Sequence, residues 1–236
     1  PNGSRIMKSA RLAVVATVLA LAACNGGTRP ADGTATSIIV LAPDSVWAAV
    51  GDSVLAQLEP RIFTVRDEST FEVTQISPMD ERWQQLRRFR QVLTIGQAGD
   101  GWVQPALRRG GSATDGTGLR QVRDVWARNQ LVTAIVVPPG APAEAALPHV
   151  PQAAEAIDSA FRVYAIQRMY LSRPDTTLRD SLVRERGFGI LLPNVYSALT
   201  RDPHVSLFQS STQVGGDLVR SVLVTEREGL LELTQE

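Results

Sequence analysis

The chain has one thiol. Cys24 follows Leu21-Ala22-Ala23 and precedes Asn25-Gly26-Gly27, with Lys8, Arg11 and an apolar run from Leu12 to Ala20 upstream. A basic start, a short apolar core and small residues at the cut describe a secretory leader, and the run is too short for a bilayer span of about 20 residues. A unique cysteine directly after Leu-Ala-Ala adds a specific reaction: sulfur takes a diacylglyceryl group, the leader is cut between Ala23 and Cys24, and the freed amine takes a further chain such as palmitate. Each buried methylene contributes about 0.8 kcal/mol, so one acyl chain holds marginally and two or more hold stably. Two plainer readings use the same residues: an ordinary cleaved leader, or a buried helix with an inert thiol. Lipidation of Cys24 is the expectation carried forward, with Met7 as the true start and residues 1–6 upstream of it.

Other constellations carry less. Gly51-Asp52-Ser53, with Asp202 and His204 far downstream, has the ingredients of a nucleophilic hydrolase of the SGNH type. Such a serine must sit exposed at a strand end, whereas here an apolar period at helical spacing runs through it, and Asp202 and His204 are separated by one residue rather than two. The two histidines, His149 and His204, lie in neither a His-Glu-x-x-His pattern nor beside cysteines, so no metal is expected. Asp67-Glu68 and Asp80-Glu81 could serve as acid–base pairs for glycoside chemistry, or simply decorate a loop and a helix start. Gly110 to Gly118 has the composition of a phosphate loop but no strand ahead of it, so it reads as a surface loop. Arg82, Arg87, Arg88 and Arg90 decorate a helix and its exit, a solvated face by default and, as the alternative, a contact for anionic headgroups or glycan. Trp102, in a loop region, completes the candidate binding surface with Arg87 and Arg88.

The full chain is formally neutral, with 24 basic and 24 acidic residues, but Arg5, Lys8 and Arg11 precede Cys24 and no acid does, leaving the mature part at −3. That balance and an address outside the cytoplasm argue against nucleic-acid binding. Lys8 is the only lysine, so the mature chain has no Schiff-base, Walker-type or serine–lysine chemistry. Without a second cysteine the fold rests on its hydrophobic core.

The elements that must position these residues read as follows. Residues 24–36 form a polar tether whose r.m.s. reach is roughly 20 Å. Residues 37–236 form one α+β domain with a mixed or antiparallel sheet packed by helices. Strands are expected at Ser37–Leu41, Phe71–Ile76, Gln91–Ile95, Leu131–Val137, Phe188–Leu192, Val205–Gln209 and Leu218–Thr225, the last two as a hairpin, and a short one at Trp102-Val103. Helices are expected from Asp44 or Ser45 to Leu58, from Met79 to Arg87, from Pro151 to Leu171, and from an Asp175 cap to Arg186, ended by Gly187. The tail from Glu226 reads as helical.

In order along the chain, the lipobox, Ser37-Ile38-Ile39-Val40, Trp47 with Gly51-Asp52, Glu68-x-x-Phe71, Arg90-Gln91-Val92, Asp124-Val125-Trp126-Ala127-x-x-Gln130 and Leu192-Pro193-x-x-Tyr196 resemble an uncharacterised family of bacterial envelope lipoproteins, domain of unknown function 4837. The resemblance implies an envelope address and a longer chain continuing past Thr225 into a second α/β section, so that this one is truncated or a shorter variant. It implies no activity and no cofactor. The combined expectation is a membrane-anchored, non-enzymatic domain that meets the bilayer through Cys24 and binds an envelope protein or glycan. A hydrolase of envelope material and a small-ligand-binding lipoprotein are the alternatives, the last requiring a pocket of about 300–1,000 Å³.

Overall fold

The computed structural model describes residues 28–63, 67–111, 117–202, 204–210 and 219–226. Ala23, Cys24, the leader, Arg66, most of the glycine-rich run and the tail beyond Glu226 lie outside the described residues. The fold is α+β, and its two compact units are Pro1–Phe161 and Arg162–Glu236.

The first unit is built on β1 (Ser37–Leu41), whose Ile38, Val40 and Leu41 have no exposed surface. A continuous β-branched run with both faces covered is what a central parallel strand requires. It lies between β4 (Glu72–Ile76) and β5 (Gln91–Gln97), both parallel to it; β7 (Leu131–Val137) extends the sheet in parallel and β6 (Gly118–Arg123) closes the edge antiparallel. The order is β4-β1-β5-β7-β6. On one face Ile38, Val40, Leu93, Ile95 and Ile135 pack against α1 (Asp44–Leu58) and the first half of α4 (Val150–Met169). On the other, Ile39, Leu41, Val92, Val132 and Ala134 pack against α2 (Trp83–Leu86) and α3 (Gln104–Arg109). The period-2 alternation of each strand sends successive residues to opposite cores.

Several local expectations are corrected. The helix from Met79 shrinks to four residues, because the Asp80 carboxylate accepts the Arg82 N–H at 2.8 Å and holds a turn in its place; Met79 is 91% exposed. Trp102-Val103 is not a strand: it leads into α3, where Pro105 presets the helical φ. A hairpin of β2 (Arg61–Phe63) and β3 (Asp67–Ser69) occupies a stretch expected as loop. No side chain caps α1, although Asp44 and Ser45 stand at its start. The stretch expected as the tether's distal part is pinned to the body. Arg128 N donates to Arg29 O at 2.9 Å, Ala31 N to Arg128 O at 2.8 Å, Asp32 N to Arg88 O at 2.9 Å and Arg90 N to Asp32 O at 2.8 Å. Gly33, at φ 76°, lies so close under the Phe89 ring that a Cβ would stand 2.5 Å from it.

The second unit contains α5 (Thr176–Arg186) and an antiparallel sheet of β8 (Tyr196–Asp202), β9 (Val205–Ser210) and β10 (Ser221–Thr225), ordered β10-β9-β8. Leu182, Leu192 and Phe208 are its core. Asp175 caps α5 through Leu178 N at 2.8 Å, and Gly187 ends it in the left-handed conformation at φ 76°. The expected strand at Phe188–Leu192 is instead a coil packed on that core, followed by the Pro174–Pro193 bridge and then by β8, which was unforeseen.

Candidate functional site

The chain reverses direction along the sheet between β1 and β5: β4 is added on one side of β1, then β5 and β7 on the other. Loops leaving the C-terminal ends of β1 and β5 therefore diverge and leave a crevice, the place where open sheets of this winding hold ligands. Here it has a volume of about 350 Å³. Pro43, Ser45 and Val46 enter from the start of α1, Gly96 and Gln97 from the end of β5 with Asp100 and Trp102 from the turn after it, and Val137 from the end of β7 with Ala143 and Ala146 from the segment after it. Asp100 Oδ2 accepts Gln97 N at 2.7 Å, and the indole Nε1 of Trp102 donates to Ile95 O at 3.1 Å. Both side chains are thus held by the end of β5.

Of the expected surface residues, only Trp102 belongs to this crevice, half-buried rather than free. Arg87 and Arg88 precede β5, at its other end, and the seven residues between span about 23 Å. The structure therefore does not bring the three together. Arg87 and Phe89 offer their carbonyls to Gln130 Nε2 at 2.6 and 2.7 Å, while Gln130 Oε1 accepts Trp126 N at 2.9 Å. Asp124 Oδ1 takes Asn129 N at 2.6 Å. The Asp124-to-Gln130 motif is a clasp joining the β6–β7 connection to the loop ahead of β5.

The other constellations fall to structural roles. Gly51 is buried in mid-α1, where a Cβ would stand 2.8 Å from the Trp47 ring; Gly51-Asp52-Ser53 thus serves the packing of Trp47, and Ser53 lies on no strand end. Asp202 accepts His204 N at 2.9 Å within the β8–β9 turn, in the second unit. Asp67 faces Arg61 across the β2–β3 hairpin at 3.8 Å. Asp80 is held by Arg82, whose side chain and then backbone hydrogen bonds keep its carboxyl below the usual range. Among the described residues no three His, Cys, Asp or Glu side chains come together as metal ligands, and no helix is long and apolar enough to cross a membrane.

The crevice could not be seen in the sequence, because its residues come from three separate connections and meet only through strand order. Pro43 and Gly96, each just after or at the end of an apolar run, were its sole local marks. No curated protein and no solved structure matches the chain. A family model described as a domain of unknown function (DUF8532) matches residues 31–171. This overturns the expected kinship with domain of unknown function 4837. The motifs behind that expectation do local work (a glycine under Trp47, the Gln130 clasp), and Leu192-Pro193-x-x-Tyr196 falls outside the matched residues; such devices recur in unrelated sheets. The match begins within the segment hydrogen-bonded to Arg88 and Arg128 and covers the first unit's described body, and on it the chain belongs to the DUF8532 family.

Proposed function

We propose that the chain is a membrane-tethered, non-enzymatic binding protein, held through acylated Cys24 to a bilayer outside the cytoplasm, whose ligand is a small molecule taken up in the crevice at the C-terminal ends of β1 and β5. The observation that carries the reading is the crevice itself: about 350 Å³, at the point where the sheet reverses its winding. Its walls select the ligand class. Val46, Val137 and Ala143 offer apolar contact, while Ser45 and Gln97 offer hydrogen bonds. Asp100 and Trp102 are already committed to backbone partners, which suits them to shape the wall rather than to react. A compact molecule with apolar and polar groups in about equal share fits this lining.

The test is a thermal-shift screen of small molecules against the full chain and against Val46→Trp, which fills the crevice from the start of α1. A ligand present at a hundred times its Kd stabilises the native state by about 2.7 kcal/mol. The expected result is a set of compounds that raise the midpoint of the parent chain and leave Val46→Trp, with an unchanged unliganded midpoint, where it was. Compounds that stabilise both chains equally would place binding elsewhere, and a screen without any stabilising compound would refute the reading.

A further inference from the structure

The pinned N-terminal segment fixes which end of the first unit a lipid anchor would draw to the membrane. Arg29 is hydrogen-bonded to Arg128, so only five Cα steps separate Cys24 from the body, at most about 18 Å when fully extended. Within that reach Arg29 stays close to the headgroup layer.

That end is basic. Arg29, Arg123 and Arg128 are exposed there, Arg87 and Arg88 are half-exposed, and Arg109 reaches across from α3 to donate to Arg123 O at 3.4 Å. Arg123 belongs to it because it pairs with Leu131, the first residue of β7, while Arg87 and Arg88 lie in the loop ahead of β5. Two acids lie among them, Asp32 facing Arg88 at 3.5 Å and Asp124 accepting Asn129 N, and the exposed Asp67 and Glu68 stand on the β2–β3 hairpin, where Asp67 faces Arg61 at 3.8 Å. Glu72 lies at the same end but on the far edge strand, β4. A positive cluster on a mature chain of net charge −3 is a local feature, not a reflection of composition. The β2–β3 hairpin leaves the body at this end too, between α1 and β4, and exposes 86% of Phe63 and 49% of Ile62.

We infer that this arginine face is a second membrane contact, which lies on the anionic phospholipid headgroups beside the anchor and turns the crevice, at the opposite end of β5, away from the bilayer. The inference rests on the tethering half of the proposed function and is independent of the crevice's ligand. The acyl chains on Cys24 hold the chain at the bilayer, and basic residues near a lipid surface add about fivefold in partitioning per arginine, which fixes the orientation of the body.

The experiment uses the full chain purified from bacterial membranes. The mass of its N-terminal peptide is read first, which decides acylation of Cys24 by itself. Hydrogen exchange is then followed in vesicles of phosphatidylcholine alone and of phosphatidylcholine with about a third phosphatidylglycerol. Protection of residues 86–90 and 122–130 is expected to rise about tenfold in the anionic vesicles only. It should vanish near 1 M salt, where the screening length falls to about 3 Å, and in Arg29→Gln/Arg123→Gln/Arg128→Gln, whose exposed side chains leave the unfolding midpoint unchanged. Equal exchange in the two vesicle types overturns the inference whether or not Cys24 is acylated. Protection in anionic vesicles by a chain with a free Cys24 thiol would sink the lipid anchor while leaving the arginine face standing.

Discussion

Gln130 is the residue whose loss the fold should feel most for its size. Its side chain has no exposed surface, and its amide serves the Arg87 and Phe89 carbonyls and the Trp126 N–H together. Gln130→Leu keeps the volume nearly constant, so no cavity accompanies the change. It leaves two carbonyls and one N–H without the partner they had. At about 1–3 kcal/mol for each buried polar group left unsatisfied, and allowing for relaxation of the half-exposed loop around Arg87, the expected cost is about 3–5 kcal/mol. That is a large share of the about 5–15 kcal/mol of a typical domain. Denaturant titration should read it, together with near-ultraviolet circular dichroism of the Trp83–Trp126 pair, whose rings meet edge-to-face at 5.2 Å beside the clasp. Gln130→Glu supplies the control. A carboxylate there faces two carbonyl oxygens, so burial and those acceptors raise its folded pKa above the unfolded value of about 4.3. Folding then takes up a proton, the variant is least impaired below that unfolded value, and its stability falls as pH rises from there through the folded pKa. A Gln130→Leu cost below about 1 kcal/mol, or a Gln130→Glu variant indifferent to pH, would refute the assignment of this amide as the clasp.

Two further outcomes follow from local geometry. Asp175→Ala removes the side-chain acceptor of Leu178 N and should cost about 1 kcal/mol, read as reduced stability of α5 by hydrogen exchange, whereas Asp175→Asn should nearly restore it. In Arg82→Gln the Asp80 carboxyl, now held below its ordinary range by the Arg82 hydrogen bonds, should titrate nearer that range by NMR; a carboxyl that does not move would show those bonds to be absent in solution.

Much of the first unit was legible because its signals are local. Ser37–Leu41 and Leu131–Val137 announce buried strands by runs rich in β-branched apolar residues, and in the second unit both ends of α5 are written in single residues, Asp175 and Gly187. The misses share a cause in competition from neighbours. Asp80 withdraws a turn from a helical period, Pro105 turns Trp102-Val103 into a helix entry, and Phe188–Leu192 has strand composition without a ladder to join. Trp102 read as a free surface residue because the carbonyl that binds its indole, Ile95 O, is recognisable only once β5 has ended and turned back.

By itself the sequence determined the lone cysteine behind Leu21-Ala22-Ala23, the single lysine at Lys8, the α+β class and the apolar runs that become β1, β5 and β7. Tertiary structure alone decided strand order, and with it everything about where the candidate sites lie. Hydrogen bonding in the order β4-β1-β5-β7-β6 opens a crevice at one end of the sheet and gathers Arg29, Arg88, Arg123 and Arg128 at the other. Periodicity specifies which face of a strand is buried but not which strand lies beside it, because neighbour choice depends on contacts made far apart in the chain.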